Sequence, residues 1–154
     1  MKLADKHGLS GVLEVVLWIS MALGAVIIVS LPWSIQHFMM PFNNNPDYWY
    51  PRYLITLFVS GVLAELILWQ SRRIIHNVNK GTIFSMDTVK RIKIVGVECL
   101  VMAAFYIAML FFGMTKISMA VVLVAFLLAG LVMLIFSELF HQAVNYKQEN
   151  DMTI

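Results

Sequence analysis

Charged residues are scarce in this chain of 154 residues, because Asp, Glu, Lys and Arg together make up only 13% of it. A soluble domain carries about 25% charged residues on average. Together with a mean hydropathy of +0.80, this scarcity excludes an ordinary soluble domain. Cysteine occurs once, as Cys99, which excludes a disulfide within the chain, and we expect this side chain to be buried in packing. The class that remains is the integral membrane proteins.

Motifs that carry chemistry are also missing. The sequence has no glycine motif that cradles phosphates, no serine or cysteine nucleophile with a partner, and no zinc spacing. Glu138 and His141 form one Glu-x-x-His pair, whereas di-iron bundles need two such pairs and two further acids. His37, Met39 and Met40 suit a soft metal, but a single such group in an aromatic interfacial loop is more typical of surface packing. We therefore predict no enzyme activity, no catalytic residue, no cofactor and no metal site.

Four apolar stretches are each long enough to cross a bilayer, since a helix needs roughly 20 apolar residues to span a core about 30 Å thick. They lie at about residues 11–33, 53–75, 92–114 and 117–141. The first apolar stretch is longer than the apolar segment of a signal peptide, so we expect a helix that is not cleaved off. The connection between the last two is so short that these helices must be adjacent and antiparallel. The sequence predicts an all-α integral membrane four-helix bundle, one domain with a short tail at 142–154.

Basic residues are distributed unevenly between the predicted connections. With the amino terminus inside, nine of the eleven Lys and Arg residues lie on the inner side, and only Arg52 and Lys116 lie outside. This bias predicts that both termini are cytoplasmic in a multi-pass protein of a bacterial inner membrane. The outer connection between helices one and two contains Tyr48, Trp49 and Tyr50, whose rings suit the headgroup level.

The stretch "NKGTIFSMDTVKRIK", residues 79–93, holds a large share of the inner cations. Gly81 is a typical stop for helix two at about Asn79. Ser85 then suits the N-cap of helix three, with Asp87 in its first turn, where the helix dipole favours an acid. Two interpretations of the basic cluster stay open. It sets topology and holds lipid headgroups, or it also docks a cytoplasmic protein.

Each predicted span contains one glutamate, and all four lie toward the predicted cytoplasmic side. Ionisable residues in spans usually face the bundle interior or a wet cavity, so we expect these acids to converge with nearby arginines on a polar mouth. Spacing of i, i+4, i+7 and i+11 also places four residues on one face of helix two, namely Glu65, Trp69, Arg72 and His76. The predicted polar cluster, with the arginines as counter-charges, is Glu14, Glu65, Glu98, Glu138, Arg72, Arg73 and Arg91. The alternative is that each acid is paired locally or reaches the interface, and only stabilises the bundle.

Small residues four positions apart occur in every predicted span and suit close helix packing. These pairs are Ser20 and Gly24, Ser60 and Ala64, Ala104 and Ala108, and Ala125 and Ala129. They indicate a compact bundle that is compatible with a homo-oligomer but does not identify one.

Two passages resemble a known family. The stretch "IIHNVNKGTIFSMDTVKRIKIVG", residues 74–96, is similar to the signature loop of the YoaS-like small four-helix bacterial membrane proteins, a domain of unknown function 2975, and the tail "ENDMTI" resembles the usual ending of that family. The resemblance implies a four-helix membrane protein commonly encoded beside a small helix-turn-helix transcription regulator. It therefore implies a membrane protein that holds, or signals to, a DNA-binding partner without contacting nucleic acid itself. The candidate partner surface is Phe84, Ser85, Lys90, Arg91, Glu149, Asn150, Asp151, Met152 and Ile154.

Two functions of different classes follow. The first is a non-enzymatic inner-membrane regulatory or accessory protein, embedded in the lipid bilayer, that contacts a cytoplasmic partner through residues 79–93 and the tail. The second is a small transporter or proton- or cation-coupled carrier that uses Glu65 and Glu98. A third, simpler hypothesis is protection of the cell by packing in the bilayer alone.

The predicted orientation is tested by labelling engineered cysteines from outside intact cells. A cysteine in place of Tyr48 is expected to react with a membrane-impermeant maleimide, and one in place of Lys80 is not, because the first lies in the outer connection and the second in the inner one. Cys99 is replaced by serine in both variants. Labelling at position 80 with none at position 48 would contradict the predicted orientation and indicate the opposite one.

Overall fold

Four long α-helices make up the chain in the computed structural model, which describes residues 9–39, 45–112 and 117–152. They are α1 (Leu9–Ser34), α2 (Pro46–Asn79), α3 (Met86–Phe111) and α4 (Ile117–Met152), and a π-helical turn, Ile35–Met39, follows α1. No strand occurs in these ranges. All four helices are long and apolar enough to cross a membrane, which confirms the all-α four-span fold. The orientation stays a prediction.

The helices extend beyond the predicted spans. Helix α2 begins at Pro46 instead of about residue 53, because proline suits the first helical turn and Asp47 is favourable there. Helix α4 continues to Met152, so residues 142–152, predicted to be a short tail, are helical. The predicted end of span three at about residue 114 and the turn before α4 fall on residues 113–116, outside the described residues.

The helices pack in chain order, with α2 between α1 and α3, and α4 against α3. The predicted adjacency of helices three and four is therefore confirmed. In the described part of the chain, α1 and α4 are not packed against each other, although Leu13 of α1 and Met133 of α4 line the same cavity. Most apolar side chains of α1 are exposed, Val26 and Val29 among them, which suits contact with lipid.

The tightest crossing joins α3 to α4 at two glycines. A Cβ added to Gly96 would lie 3.2 Å from the Gly130 carbonyl oxygen, and one added to Gly130 would lie 2.8 Å from Leu100 Cδ2 and 3.0 Å from the Gly96 carbonyl oxygen. Close backbone approach of this kind needs small residues. Beside this crossing lies Cys99, which is 5% exposed, as predicted.

The small-residue pairs predicted from the sequence are only partly used. Gly24 does contact α2, where an added Cβ would fall on the Glu65 carboxylate. Ala104, Ala125 and Ala129, in contrast, are exposed. These alanines therefore make no tight helix contact within the described part of the chain. The glycines at the α3–α4 crossing, which are not spaced by four within one helix, were missed.

A short corner, residues 80–85, joins α2 to α3 and is closed by hydrogen bonds. The Gly81 N–H donates to the Val78 carbonyl and the Thr82 N–H to the Asn77 carbonyl, both at 3.0 Å. With Gly81 at φ +73°, this is a Schellman ending. The hydroxyl of Ser85 then accepts from the Thr88 N–H at 3.4 Å as the N-cap of α3. The predicted helix stop and N-cap are both confirmed.

Replacing Gly130 by valine is expected to destabilise the bundle by about 1 to 3 kcal/mol, the usual effect of overpacking a tight contact. The new side chain would overlap Leu100 and the backbone of Gly96. The measurement is the thermal midpoint of the detergent-solubilised protein. Ala129→Val, one residue away on the exposed side of α4, is the matched control and should leave the midpoint unchanged. Equal midpoints for both variants would contradict the close crossing.

Candidate functional site

The starts of α1 and α3 and the ends of α2 and α4 meet at one end of the bundle, which we call the basic end. It contains the corner and the cations of residues 72–93. Most of the predicted site residues lie here or within a few turns of it. The side chains fall into four groups, one between α1 and α2, two between α2 and α3, and one between α3 and α4.

The first group lies between α1 and α2 at the basic end. Glu14 of α1 accepts a hydrogen bond from Asn79 Nδ2 at 2.7 Å, and its other carboxylate oxygen lies 3.4 Å from His76 Nδ1. Both partners belong to the last turns of α2, so this carboxylate ties the start of α1 to the end of α2. Local pairing was the alternative interpretation for these acids, and Glu14 conforms to it.

Further along the same interface, Glu65 packs against Gly24 of α1. Arg72 lies between two tryptophans, with its guanidinium carbon 4.2 Å from the ring centre of Trp18 on α1 and 5.8 Å from that of Trp69. An arginine over an aromatic face gains cation–π attraction. The predicted polar stripe of α2 is thus one face, as expected from its spacing, and this face packs on α1.

The second group ties the corner to α3 through the opposite face of α2. Asp87 accepts from Asn77 Nδ2 and from Arg91 Nε, both at 2.8 Å. Arg91 also donates to Gln70 Oε1 at 3.0 Å, and Asn77 donates to Thr88 Oγ1 at 3.1 Å. This network holds the start of α3 against the last turns of α2, and sequence reasoning missed Asn77 and Gln70. In the sequence, the sign of this network is the i, i+4 spacing of Asp87 and Arg91.

Glu98 forms the third group. Because Arg91 reaches α2 and Glu98 lies seven residues further along α3, the two share the face of α3 that points to α2. Oε2 of Glu98 is buried and has no hydrogen-bond partner in the part of the chain that the structure describes. A buried carboxylate oxygen without a partner is costly.

The fourth group lies between α3 and α4. Glu138 lines a cavity of about 230 Å³ together with Lys90, Lys93 and His141. Deeper in the same interface, Ser137 Oγ donates to the Val89 carbonyl at 3.2 Å.

In this arrangement the residues of the predicted polar cluster do not converge on one polar mouth. Glu14 and Glu65 both lie between α1 and α2, at different depths, whereas Glu98 faces α2 from α3 and Glu138 lies between α3 and α4. The arginines also have other partners than the glutamates. Arg91 pairs with Asp87, Arg72 contacts Trp18, and the guanidinium of Arg73 lies 5.4 Å from the ring centre of Trp69.

The residues of the candidate partner surface also differ in exposure and in their contacts. Phe84 is 51% exposed and stacks on Phe140 of α4, with ring centres 6.1 Å apart. Lys90, Glu149 and Asn150 are also exposed. By contrast, Ser85 and Arg91 are half-buried parts of the corner and its network. Asp151 and Met152 belong to the last turn of α4, and Ile154 lies outside the described residues.

The residues considered for metal chemistry lie apart from these groups. His37 stacks on Trp33 with ring centres 4.6 Å apart, and its Nδ1 lies 3.3 Å from the Trp33 carbonyl oxygen. Met40 lies outside the described residues, and so does the side chain of Met39. Among residues 9–39, 45–112 and 117–152, no three His, Cys, Asp or Glu side chains form a group that suits a metal ion.

Comparison with known proteins identifies the family and no closer relative. Residues 15–154 match a family described as a protein of unknown function (DUF2975). No curated protein matches the chain, and no solved structure does. The family match covers nearly the whole chain and all four helices, in agreement with the resemblance of the corner and the tail. This chain belongs to the DUF2975 family of proteins of unknown function.

Proposed function

We propose that this protein is a non-enzymatic regulatory or accessory protein of the bacterial inner membrane, which binds a cytoplasmic protein at its basic end. The observation that carries the proposal is the extension of α4. Its apolar run, residues 117–136, is 20 residues long and sufficient to cross the hydrocarbon core. Residues 137–152 continue the helix for about 24 Å at 1.5 Å per residue, which is far more than a span requires.

This extension is attached to the corner. The stack of Phe84 on Phe140 joins the two, and Val144, one turn further along α4, is 2% exposed. The Schellman ending and the Asn77–Asp87–Arg91 network hold the corner from the other side. A preorganised surface loses less conformational entropy when a partner binds, so the basic end suits recognition better than a mobile loop would.

The chemistry of the surface supports a protein partner. The exposed ring of Phe84 supplies an apolar centre, and exposed Lys80, Lys90 and Lys147 surround the region with positive charge. Aromatic anchors with a polar rim are typical of protein interfaces. The complementary partner has an apolar pocket and an acidic rim. A small helix-turn-helix transcription regulator, the partner implied by the family resemblance, is our specific proposal.

Removing the Phe84 ring is expected to weaken partner binding by about 2 kcal/mol, roughly thirtyfold, if it is the central anchor of the interface. The measurement is the quantity of a cytoplasmic protein that copurifies with the tagged membrane protein, compared between the native chain and Phe84→Ala. Truncation after Lys147 should reduce it as well. Phe38→Ala, an exposed aromatic residue at the opposite end of the bundle, is the matched control. The same proteins in the same yield from every variant would contradict the proposal.

The second candidate is a proton- or cation-coupled carrier, and one observation favours it: the buried, unpartnered Oε2 of Glu98 lies inside a span. An intramembrane acid of this kind is often a proton or ion site. Glu98→Gln removes the charge and keeps the shape. If the protein is a carrier, this change abolishes proton-coupled flux in reconstituted vesicles, whereas flux that persists in both Glu98→Gln and Glu65→Gln rules out this mechanism.

A further inference from the structure

The cavity between α3 and α4 lies at a specific depth. On α3, Lys93 is the last cation before the helix becomes apolar, and on α4 the lining residues Ser137, Glu138 and His141 follow directly after the apolar run that ends at Phe136. Both helices therefore pass from hydrocarbon to headgroups where the cavity opens. A lipid of the adjacent leaflet meets this cavity with its headgroup, because its acyl chains occupy the apolar zone beside it.

Within the part of the chain that the structure describes, the charged side chains that line the cavity pair with no other residue. Lys90, Lys93 and Glu138 are exposed, and the acids that have a basic partner within the described ranges are Glu14, which contacts His76, and Asp87, which pairs with Arg91. In the same cavity the Ser137 hydroxyl is already engaged by the Val89 carbonyl. The charged groups left to recognise a ligand are two ammonium groups and one carboxylate, and the His141 imidazole lines the cavity beside them.

This set of charges distinguishes between headgroups. Two lysines attract a phosphate, whereas a carboxylate in the same small cavity repels it. A ligand that carries a phosphate and a primary ammonium group a few bonds apart satisfies all three side chains, since the ammonium group donates hydrogen bonds to Glu138. A glycerol headgroup offers no cation to the carboxylate, and a trimethylammonium headgroup has no N–H to donate.

We propose that this cavity binds the headgroup of an amine-bearing phospholipid, with the phosphate on Lys90 and Lys93 and the ammonium group on Glu138. Met86 and Val89 contribute apolar side chains to the lining. This site is separate from the proposed partner surface around Phe84, although Lys90 borders both. Lipid binding by the purified protein does not depend on any partner, so the two proposals fail independently.

The test titrates short-chain lipids into the purified full-length protein in detergent and measures binding by calorimetry. The three probes share acyl chains and carry phosphoethanolamine, phosphocholine or phosphoglycerol headgroups. The phosphoethanolamine lipid is expected to bind most tightly. Each lysine near an anionic group contributes roughly a fivefold factor, so Lys90→Ala with Lys93→Ala should weaken its binding about 25-fold.

Glu138→Gln gives the decisive readout, because it should remove the preference for phosphoethanolamine over phosphoglycerol while binding itself persists. Lys80→Ala and Glu149→Gln change the same charges away from the cavity and should leave affinity and preference unchanged. Equal affinity of the native chain for all three lipids, a preference that survives Glu138→Gln, or inorganic phosphate binding as tightly as the phosphoethanolamine lipid would each overturn the proposal.

Discussion

The hydrocarbon core offers no water to the polar side chains of α2, so they bond to carbonyls of their own helix or to a neighbouring helix. The bonds to neighbouring helices explain the order of the bundle. One face of α2 packs on α1, where Glu65 meets Gly24 and His76 meets Glu14. The opposite face packs on α3, where Ser60 Oγ donates to Tyr106 Oη at 3.1 Å and Gln70 accepts from Arg91. A helix with polar groups on two faces must lie between two others, because an unsatisfied polar group in lipid costs several kcal/mol. Helix α4 has few such groups and is attached through the apolar glycine crossing.

The charged residues of the basic end fall into two sets, those that hold helices together and those that are available to ligands. Glu14, Asp87 and Arg91 connect one helix to the next, and their removal would loosen the basic end without removing a binding group. Lys90, Lys93 and Glu138 are exposed on the α3–α4 pair and make no such connection to the residues that the structure describes. The extension of α4 and the closed corner then give these exposed groups a fixed frame. The basic end therefore combines a rigid scaffold with charged side chains that are available to bind a ligand.

Much of the fold was predictable, because its main determinants act over short distances. Hydropathy alone gives four spans, Gly81 and Ser85 give the corner, and helical spacing gives the polar face of α2. The neighbour that each face meets was not predictable, since helical spacing tells which residues share a face and not which helix lies opposite. For this reason the acids were expected at one mouth, and the arginines were assigned to glutamates when Arg72 instead contacts Trp18. The helical continuation of α4 was missed because a polar end carries no apolar periodicity.

The central claim is that α2 lies between α1 and α3, and cross-linking of cysteine pairs in a background without Cys99 tests it most directly. Ile28→Cys with Gly61→Cys joins α1 to α2, where the Ile28 side chain packs against Gly61. Ser60→Cys with Tyr106→Cys joins α2 to α3, where the two native hydroxyls are hydrogen-bonded. Both pairs are expected to form cross-links within one chain. Val26→Cys with Val124→Cys, on α1 and α4, is not. Efficient cross-linking of the last pair within one chain, with none in the first two, would contradict this order of helices.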